Sequence, residues 1–436
     1  MSEDATLDDF VSESESEEQT NDDEVSVGEL QQLEQSPIDS WELVRLGEIL
    51  SLEYGDNLPS GSREQGTVPV YGSNGQVDTH NEAAVDSPGI VLGRKGSIGE
   101  IRFSDKPFWP IDTTYYITHG ETSQNLRFLY YLLQNIQLER LNAASAIPGL
   151  NRNDTYGLNA IVPPLSEQRK IAAILYNLDQ AIQKTGEIIE QVEQLKKGIA
   201  QEIIHTGIEN SQTKSAWMGE IPSHWEVKEF SELIDFSQNG IYKESEDYGG
   251  PYPIIKMGDI FGGVTLDEPI AERVHLEDDE VEKYATAKGD LVFARHAQAG
   301  WGAGDCTYVP DLDETAVIES NMVQVRLNKD VDPLFYAQYF NSEIGVKSIK
   351  RITTTGNIKS ISQGDLMNLK VPIPPIDEQE EIAKVLSVFD EQAEQSESEV
   401  ARLRRLKQGL MQDLLSGTVR TTDTNIEVPD EIAQHG

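Results

Sequence analysis

Between Pro163 and Ile208 the apolar positions Ile171, Leu175, Leu178, Ile182, Ile189, Val192, Ile199 and Ile203 recur with an alternating four-three spacing. That spacing is the period of a helical seam and predicts one long helix. The stretch, PPLSEQRKIAAILYNLDQAIQKTGEIIEQVEQLKKGIAQEIIHTGI, returns 211 positions later without a gap as PPIDEQEEIAKVLSVFDEQAEQSESEVARLRRLKQGLMQDLLSGTV, from Pro374. Its seam is Ile382, Leu386, Phe389, Ala393, Val400, Leu403, Leu410 and Leu414. Both copies lapse at the same two places, first to a small hydroxyl (Thr185, Ser396) and then to a lysine (Lys196, Lys407), as polar residues that fix register do. Each helix is expected to open after its proline pair, with Ser166 and Asp377 as N-caps. Glu167 and Glu378 place negative charge in the first turn, and Asp377 with Glu380 forms a capping box. A stripe this narrow needs a partner helix, and the chain contains one.

Ahead of each helix the pattern changes to short β-rich runs punctuated by glycine. The first set is VPVYGSNG from Val68, GIVLGRKGSIGEIRF from Gly89 and FWPIDTTYYIT from Phe108, then a helix around Asn125 to Asn142. The second is YPIIKMGDI from Tyr252, GDLVFARHAQAGWGAG from Gly289 and ESNMVQVRL from Glu319, then a helix from Pro333. WELVRLGEIL at Trp41 and WEVKEFSELI at Trp225 open the two sets alike. The predicted layout is an acidic disordered tail (1–36), a first globular domain (37–160), a first helix region (161–208), a linker (209–218), a second globular domain (219–372), a second helix region (373–420) and a C-terminal tail (421–436). The fold class is α+β: two similar mixed α/β domains joined by two long helices packed as an antiparallel coiled coil, a pseudo-twofold internal repeat. From Ile171 to Ile203 the seam is about 50 Å long at ~1.5 Å per residue.

Composition alters this picture in one respect. The formal net charge is −41, and residues 1–40 contribute fourteen of those charges with no Lys or Arg. An acidic surface of this kind suits molar salt, where the Debye length is only ~3 Å, and suggests a halophilic source. No run approaches the ~20 apolar residues of a membrane span, and no signal peptide is recognisable, so a cytoplasmic protein is expected. The single cysteine, Cys306, excludes an internal disulfide and a multi-cysteine metal site, and no base stands near it in sequence to make it a nucleophile.

The toolkits of the common enzymes are missing. There is no GxxxxGK[ST] loop, no GxGxxG after a strand, no HExxH and no metal-ligand spacing. The methyltransferase motif of Asn or Asp before two prolines and an aromatic is absent, because Pro163-Pro164 and Pro374-Pro375 are flanked by aliphatics. No catalytic residue and no metal ligand is predicted. GWGAG from Gly300 reads as a strand turn.

PPLSEQRKIAAILYNLD and its echo PPIDEQEEIAKVLSVFD, WMGEIPSHWEV before the second half, VYGSNG, GRKGSIG and SAIPGLNR resemble the specificity subunit of type I restriction-modification systems. The resemblance covers about 37–420. It implies two target recognition domains, each reading one half of a split double-stranded DNA target, and a helix pair that sets the distance between halves. It implies no catalysis and no cofactor in this chain. The partners it implies are two adenine-N6 methyltransferase subunits using S-adenosylmethionine and restriction subunits using ATP and Mg. Other readings of the residues are the recognition subunit of a related two-component system, a fused restriction-modification enzyme, and a coiled-coil adaptor with no role on DNA.

Residue type and loop position select the candidate DNA contacts, since Arg and Lys suit guanine and phosphate, and Asn and Gln suit adenine. In the first domain these are Tyr71, Ser73, Asn74, Arg94, Lys95, Ser97 and Arg152. In the second they are Lys243, Lys256, Arg295, His296, Gln298, Asn357 and Lys359. Lys350 and Arg351, near a helix end, suit the helix dipole or phosphates better than bases.

Overall fold

The computed structural model describes residues 36, 38–139, 141, 149–209, 211–261, 263–267, 269–296, 302–354 and 359–434. The expected acidic tail and the SAIP segment therefore lie outside the described residues. The chain divides into two compact units, 1–184 with 401–436, and 185–400.

In the first unit, strands β1 (Glu42–Arg45), β2 (Glu53–Tyr54), β3 (Val68–Gly72), β4 (Gly75–His80), β5 (Gly89–Gly93), β6 (Ile101–Ser104), β7 (Trp109–Pro110) and β8 (Thr114–Ile117) precede helix α1 (Leu126–Ile136), strand β9 (Asn159–Val162) and the long helix α2 (Leu165–Thr206). The main sheet has the order β2-β8-β5-β6, a second has β4-β3-β7, and β1 pairs with β9. All of β5 is buried, as befits a strand covered on both faces. Asn125 caps α1 by accepting from the Phe128 amide, and Gln137 ends it in the left-handed region at φ 57°.

The second unit opens with a hairpin, β10 (Thr213–Ala216) with β11 (Gly219–Pro222), across the segment expected to be a linker. Then follow β12 (Glu226–Glu229), β13 (Ile234–Asn239), β14 (Tyr248–Ile255), β15 (Arg273–Val274), β16 (Asp290–Ala294), β17 (Cys306–Tyr308), β18 (Val317–Ile318), β19 (Met322–Leu327), helices α3 (Pro333–Asn341) and α4 (Glu343–Ile352), strand β20 (Lys370–Ile373) and the second long helix, α5 (Ile376–Ser416). The sheets are β13-β19-β16-β17, β15-β14-β18 and β12-β20. Strand for strand this is the plan of the first unit. Even the parallel pairs correspond, β3 with β7 and β14 with β18.

Each unit holds part of both long helices. In the first, Ile171 and Leu175 of α2 share a core with Leu414 and Leu415 of α5. In the second, Ala200 and Ile204 share one with Ile382 and Leu386. The ion pair Lys407–Asp179 in the first unit and the pair Lys196–Asp390 in the second show that the segments run antiparallel. The lysine lapses thus have named partners. Asp179 also accepts from the Tyr131 hydroxyl at 2.7 Å, and Asp390 from Gln338 at 2.6 Å, which ties each seam to the helix of its own globular domain. Ser396 is buried and donates back to the Gln392 carbonyl.

The helix starts need a correction. The proline before each helix is the N-cap, so Ser166 and Asp377 lie inside the first turn and neither caps its helix. Glu167 and Glu378 do more than face the dipole. Glu167 accepts from Trp41 Nε1 at 3.0 Å, from Arg420 through both oxygens at 2.9 and 3.0 Å, and from the Thr421 amide. Burial opposes its charge, yet these donors hold its carboxyl below the ordinary glutamate range. Glu378 accepts from Trp225 Nε1 and pairs with His224 Nε2, both at 2.8 Å. Gln168 and Gln379 each donate to the first carbonyl of their proline pair at 2.8 Å. Each also accepts the amide of the residue that caps the domain helix, Asn125 and Asp332 respectively. The repeated PPxxEQ therefore latches each globular domain to its helix.

The C-terminal segment expected to be a tail is docked on the first unit. Thr421 is buried, and in the short helix α6 (Asp430–Ala433) Ile432 is buried in that unit's core and accepts from Asn125 Nδ2. No helix among the described residues is long and apolar enough to cross a membrane.

Candidate nucleic-acid interface

In the first unit the turn after β5 brings several candidates together. Arg94 leaves the strand with its amide donating to the Thr113 carbonyl, while its own carbonyl accepts from the Leu150 amide. Its guanidinium lies 4.8 Å from the ring centre of Tyr54 and 5.6 Å from that of Tyr115. Arg152, distant in sequence, lies over the same two rings at 4.5 and 5.8 Å. Each guanidinium also donates to a carbonyl, Asp112 for Arg94 and Leu52 for Arg152. Among the described residues neither has a carboxylate partner. In so acidic a chain this is notable, since Arg63, Arg102, Arg127, Arg273, Arg326 and Arg420 all have one. Cation–π contact holds the two like charges side by side without neutralising them.

Ser73 and Ser97 meet at the same edge. Gly93 allows this, because a Cβ there would stand 2.0 Å from the Ser97 carbonyl and 2.7 Å from that of Ser73. Asn74 is exposed at the tip of the β3–β4 turn, and Lys95 is exposed with Asp112 at 3.5 Å. Tyr71 is a correction. Its ring packs edge-on against buried Phe108 at 5.9 Å and belongs to a small core with Val85 and Val91.

In the second unit Arg295 occupies the place of Arg94. It follows the matching strand, its amide donates to the Asn321 carbonyl, and its carbonyl accepts from the Ile361 amide. No carboxylate pairs with it among the described residues, and its Nε is buried without a hydrogen-bond partner. Gln363, at the position of Arg152, donates to Ser237 Oγ at 2.5 Å. His296 is half-buried and bridges to Ser360, and Lys359 is exposed. Gln298 and Asn357 lie outside the described residues. Lys243 is a correction: its side chain is 11% exposed and its ammonium is paired with Glu280 at 2.7 Å, so its charge is taken up within the domain. Lys256 is engaged likewise, 3.5 Å from Glu272 and 4.3 Å from the Tyr248 ring centre. Arg351 stacks on Trp217 at 4.8 Å.

Sequence reasoning missed Tyr54, which at 49% exposure is open to a ligand, and Tyr242, the most exposed large aromatic at 73%. The aromatic beside Lys243 was a legible signal; Tyr54 had none, because its arginines arrive from segments distant in sequence, the turn after β5 and the short helix Arg152–Tyr156. Among the described residues no group of three or more His, Cys, Asp or Glu is placed to hold a metal ion. Cys306 is buried, and burial pushes its thiol well above the ordinary range, which removes it as a nucleophile.

The family model described as the type I restriction modification DNA specificity domain matches residues 38–194 and again 222–403. The chain belongs to the type I specificity-subunit family. The MjaVIII specificity subunit of Methanocaldococcus jannaschii is 24% identical over 405 residues, covering 89% of this chain and 95% of its own. The EcoKI specificity subunit of Escherichia coli is 25% identical over 305 residues, 68% of this chain and 65% of its own. A crystal structure of a type I S subunit from M. genitalium shares the fold at a TM-score of 0.60 and 16% identity, covering 88% of this chain and 98% of that one. As a specificity subunit, the chain serves DNA sequence recognition in a restriction-modification system. The arginine edge is where its two domains present matched, unneutralised charge.

Proposed function

We propose that this specificity subunit binds a bipartite double-stranded DNA target, each recognition domain reading one half and the helix pair setting the spacer. It directs two methyltransferase subunits, which bring S-adenosylmethionine to adenine N6, and restriction subunits that consume ATP with Mg. The chemistry belongs to those partners. The observation that carries this reading is the matched pair Arg94 and Arg295: same strand end, same backbone bonds, and no carboxylate partner among the described residues. A guanidinium so held presents a fork to guanine O6 and N7 or to a phosphate, and each good base contact is worth about 1–3 kcal/mol of discrimination. Tyr54 and Tyr115 orient the fork in the first domain.

The test is to map methylated adenines on genomic DNA with the assembled complex. Arg94→Ala should relax only one half of the methylated motif and Arg295→Ala only the other, with the spacer unchanged in both. A variant that altered both halves, or neither, would sink the assignment.

A further inference from the structure

Helix α5 carries the densest positive run of the chain, Arg402, Arg404, Arg405 and Lys407, in a sequence with 76 acidic and 35 basic residues. Lys407 is committed to Asp179. The three arginines are exposed and have no ion-pair or hydrogen-bond partner among the described residues. Nothing acidic stands three or four residues away from Arg404 or Arg405, and Glu399, three residues before Arg402, makes no ion pair with it among the described residues. The helix dipole does not account for them either, since it acts within the last turn and α5 continues to Ser416. The aligned stretch of α2 has Gln191, Glu193 and Gln194 instead, so the run occurs in one copy only.

Arg404, with Lys407 and Gln408, forms one wall of an open cleft of about 510 Å³ within the first unit. The opposite wall is the later arm of the β5–β6 turn, from Ile98 to Arg102. The earlier arm of that turn carries Arg94, Lys95 and Ser97. Of the three free arginines Arg404 thus stands across a cleft from the loop assigned above to base reading, with Glu100 and Glu139 also in the lining, while Arg402 and Arg405 extend the run along the helix outside it.

We propose that Arg402, Arg404 and Arg405 grip the phosphodiester backbone of the spacer DNA beside the first half-site, without reading its sequence; this rests on the DNA-reading role proposed above. Guanidinium forks match phosphate oxygens, and phosphate contacts position a duplex without specifying bases. A chain of this net charge repels DNA at long range, so such contacts have to come from cations left free of local carboxylates. The acidic face of a protein partner is the competing occupant. A partner present once per repeat would meet equivalent residues in both helices, and the run is one-sided.

The experiment uses the full complex with its methyltransferase subunits and a duplex bearing its methylated motif, with binding followed by fluorescence anisotropy over a range of salt. The triple variant R402Q/R404Q/R405Q should bind about 10- to 100-fold more weakly at the lowest salt. Its plot of log affinity against log salt should be shallower by about 2–3, and the methylated motif should not change. Gln191→Ala with Gln194→Ala should leave the slope where it was. An unchanged slope in the triple variant overturns the proposal, and if assembly with the methyltransferase is lost at the same time, the run is a protein-docking surface. A wild-type complex with no sequence preference would instead sink the parent reading, and that is seen before any variant is made.

Discussion

The two units contain the same latch with different locks. Both place a glutamate in the first turn of a long helix, Glu167 and Glu378, and both set it under a tryptophan indole. In the first unit the other side-chain partner is the paired fork of Arg420, brought in by the segment after α5, and Glu167 is 3% exposed. In the second it is His224, a residue that is itself 43% exposed. What must be kept for a domain to sit on its helix is an anion facing an indole. Which side chain completes it differs between the two units. The turns after β5 and β16 show the same division, since the backbone frame of Arg94 and Arg295 is common while the side chains around them are not.

Truncating the glutamate is the sharpest way to break that comparison. Glu167→Ala leaves the Arg420 guanidinium without its partner and should cost about 3–5 kcal/mol in chemical unfolding. Glu378→Ala removes the hydrogen bonds to the Trp225 indole, the Ile208 amide and a half-exposed histidine, and should cost about 1–3 kcal/mol. Equal losses would mean the fork adds nothing.

The seam ion pairs should be equal where the latches differ. Double-mutant cycles on Lys407 with Asp179, and on Lys196 with Asp390, should each return a coupling of about 1–2 kcal/mol, because each pair is partly buried and each aspartate keeps a second donor. A marked inequality would show that Tyr131 and Gln338 are not interchangeable anchors.

The smallest effect is the acid response. The folded carboxyl of Glu167 is depressed, so its contribution is complete above the unfolded glutamate range and is lost as pH falls through the folded value. In unfolding curves taken at stepwise lower pH, Glu167→Gln should flatten the loss of stability below about pH 4.5. A wild-type slope in that variant would remove Glu167 from the acid response.

Much of the scaffold was legible because it repeats in sequence. Period, register lapses and the ungapped return of PPxxEQ define both long helices, and alternating β-rich runs place the strands. The N-caps were misassigned because a proline can cap without a side-chain acceptor. The linker and the C-terminal tail were polar enough to pass for loose chain, yet one pairs as a hairpin and the other buries Ile432. At the reading edge, residue type alone could not separate Arg94 from Lys243. One stacks on rings from other strands and the other closes on Glu280.

By itself, the sequence determined the two helices, their pairing register and the doubling of one domain plan, because these follow from local period and repetition. Only the tertiary structure decided which cations are spent on neighbouring carboxylates and which remain free. Both outcomes depend on side chains that meet from elements distant in sequence, as Lys243 meets Glu280 and as Arg94 and Arg152 meet over Tyr54, and no spacing along the chain encodes that.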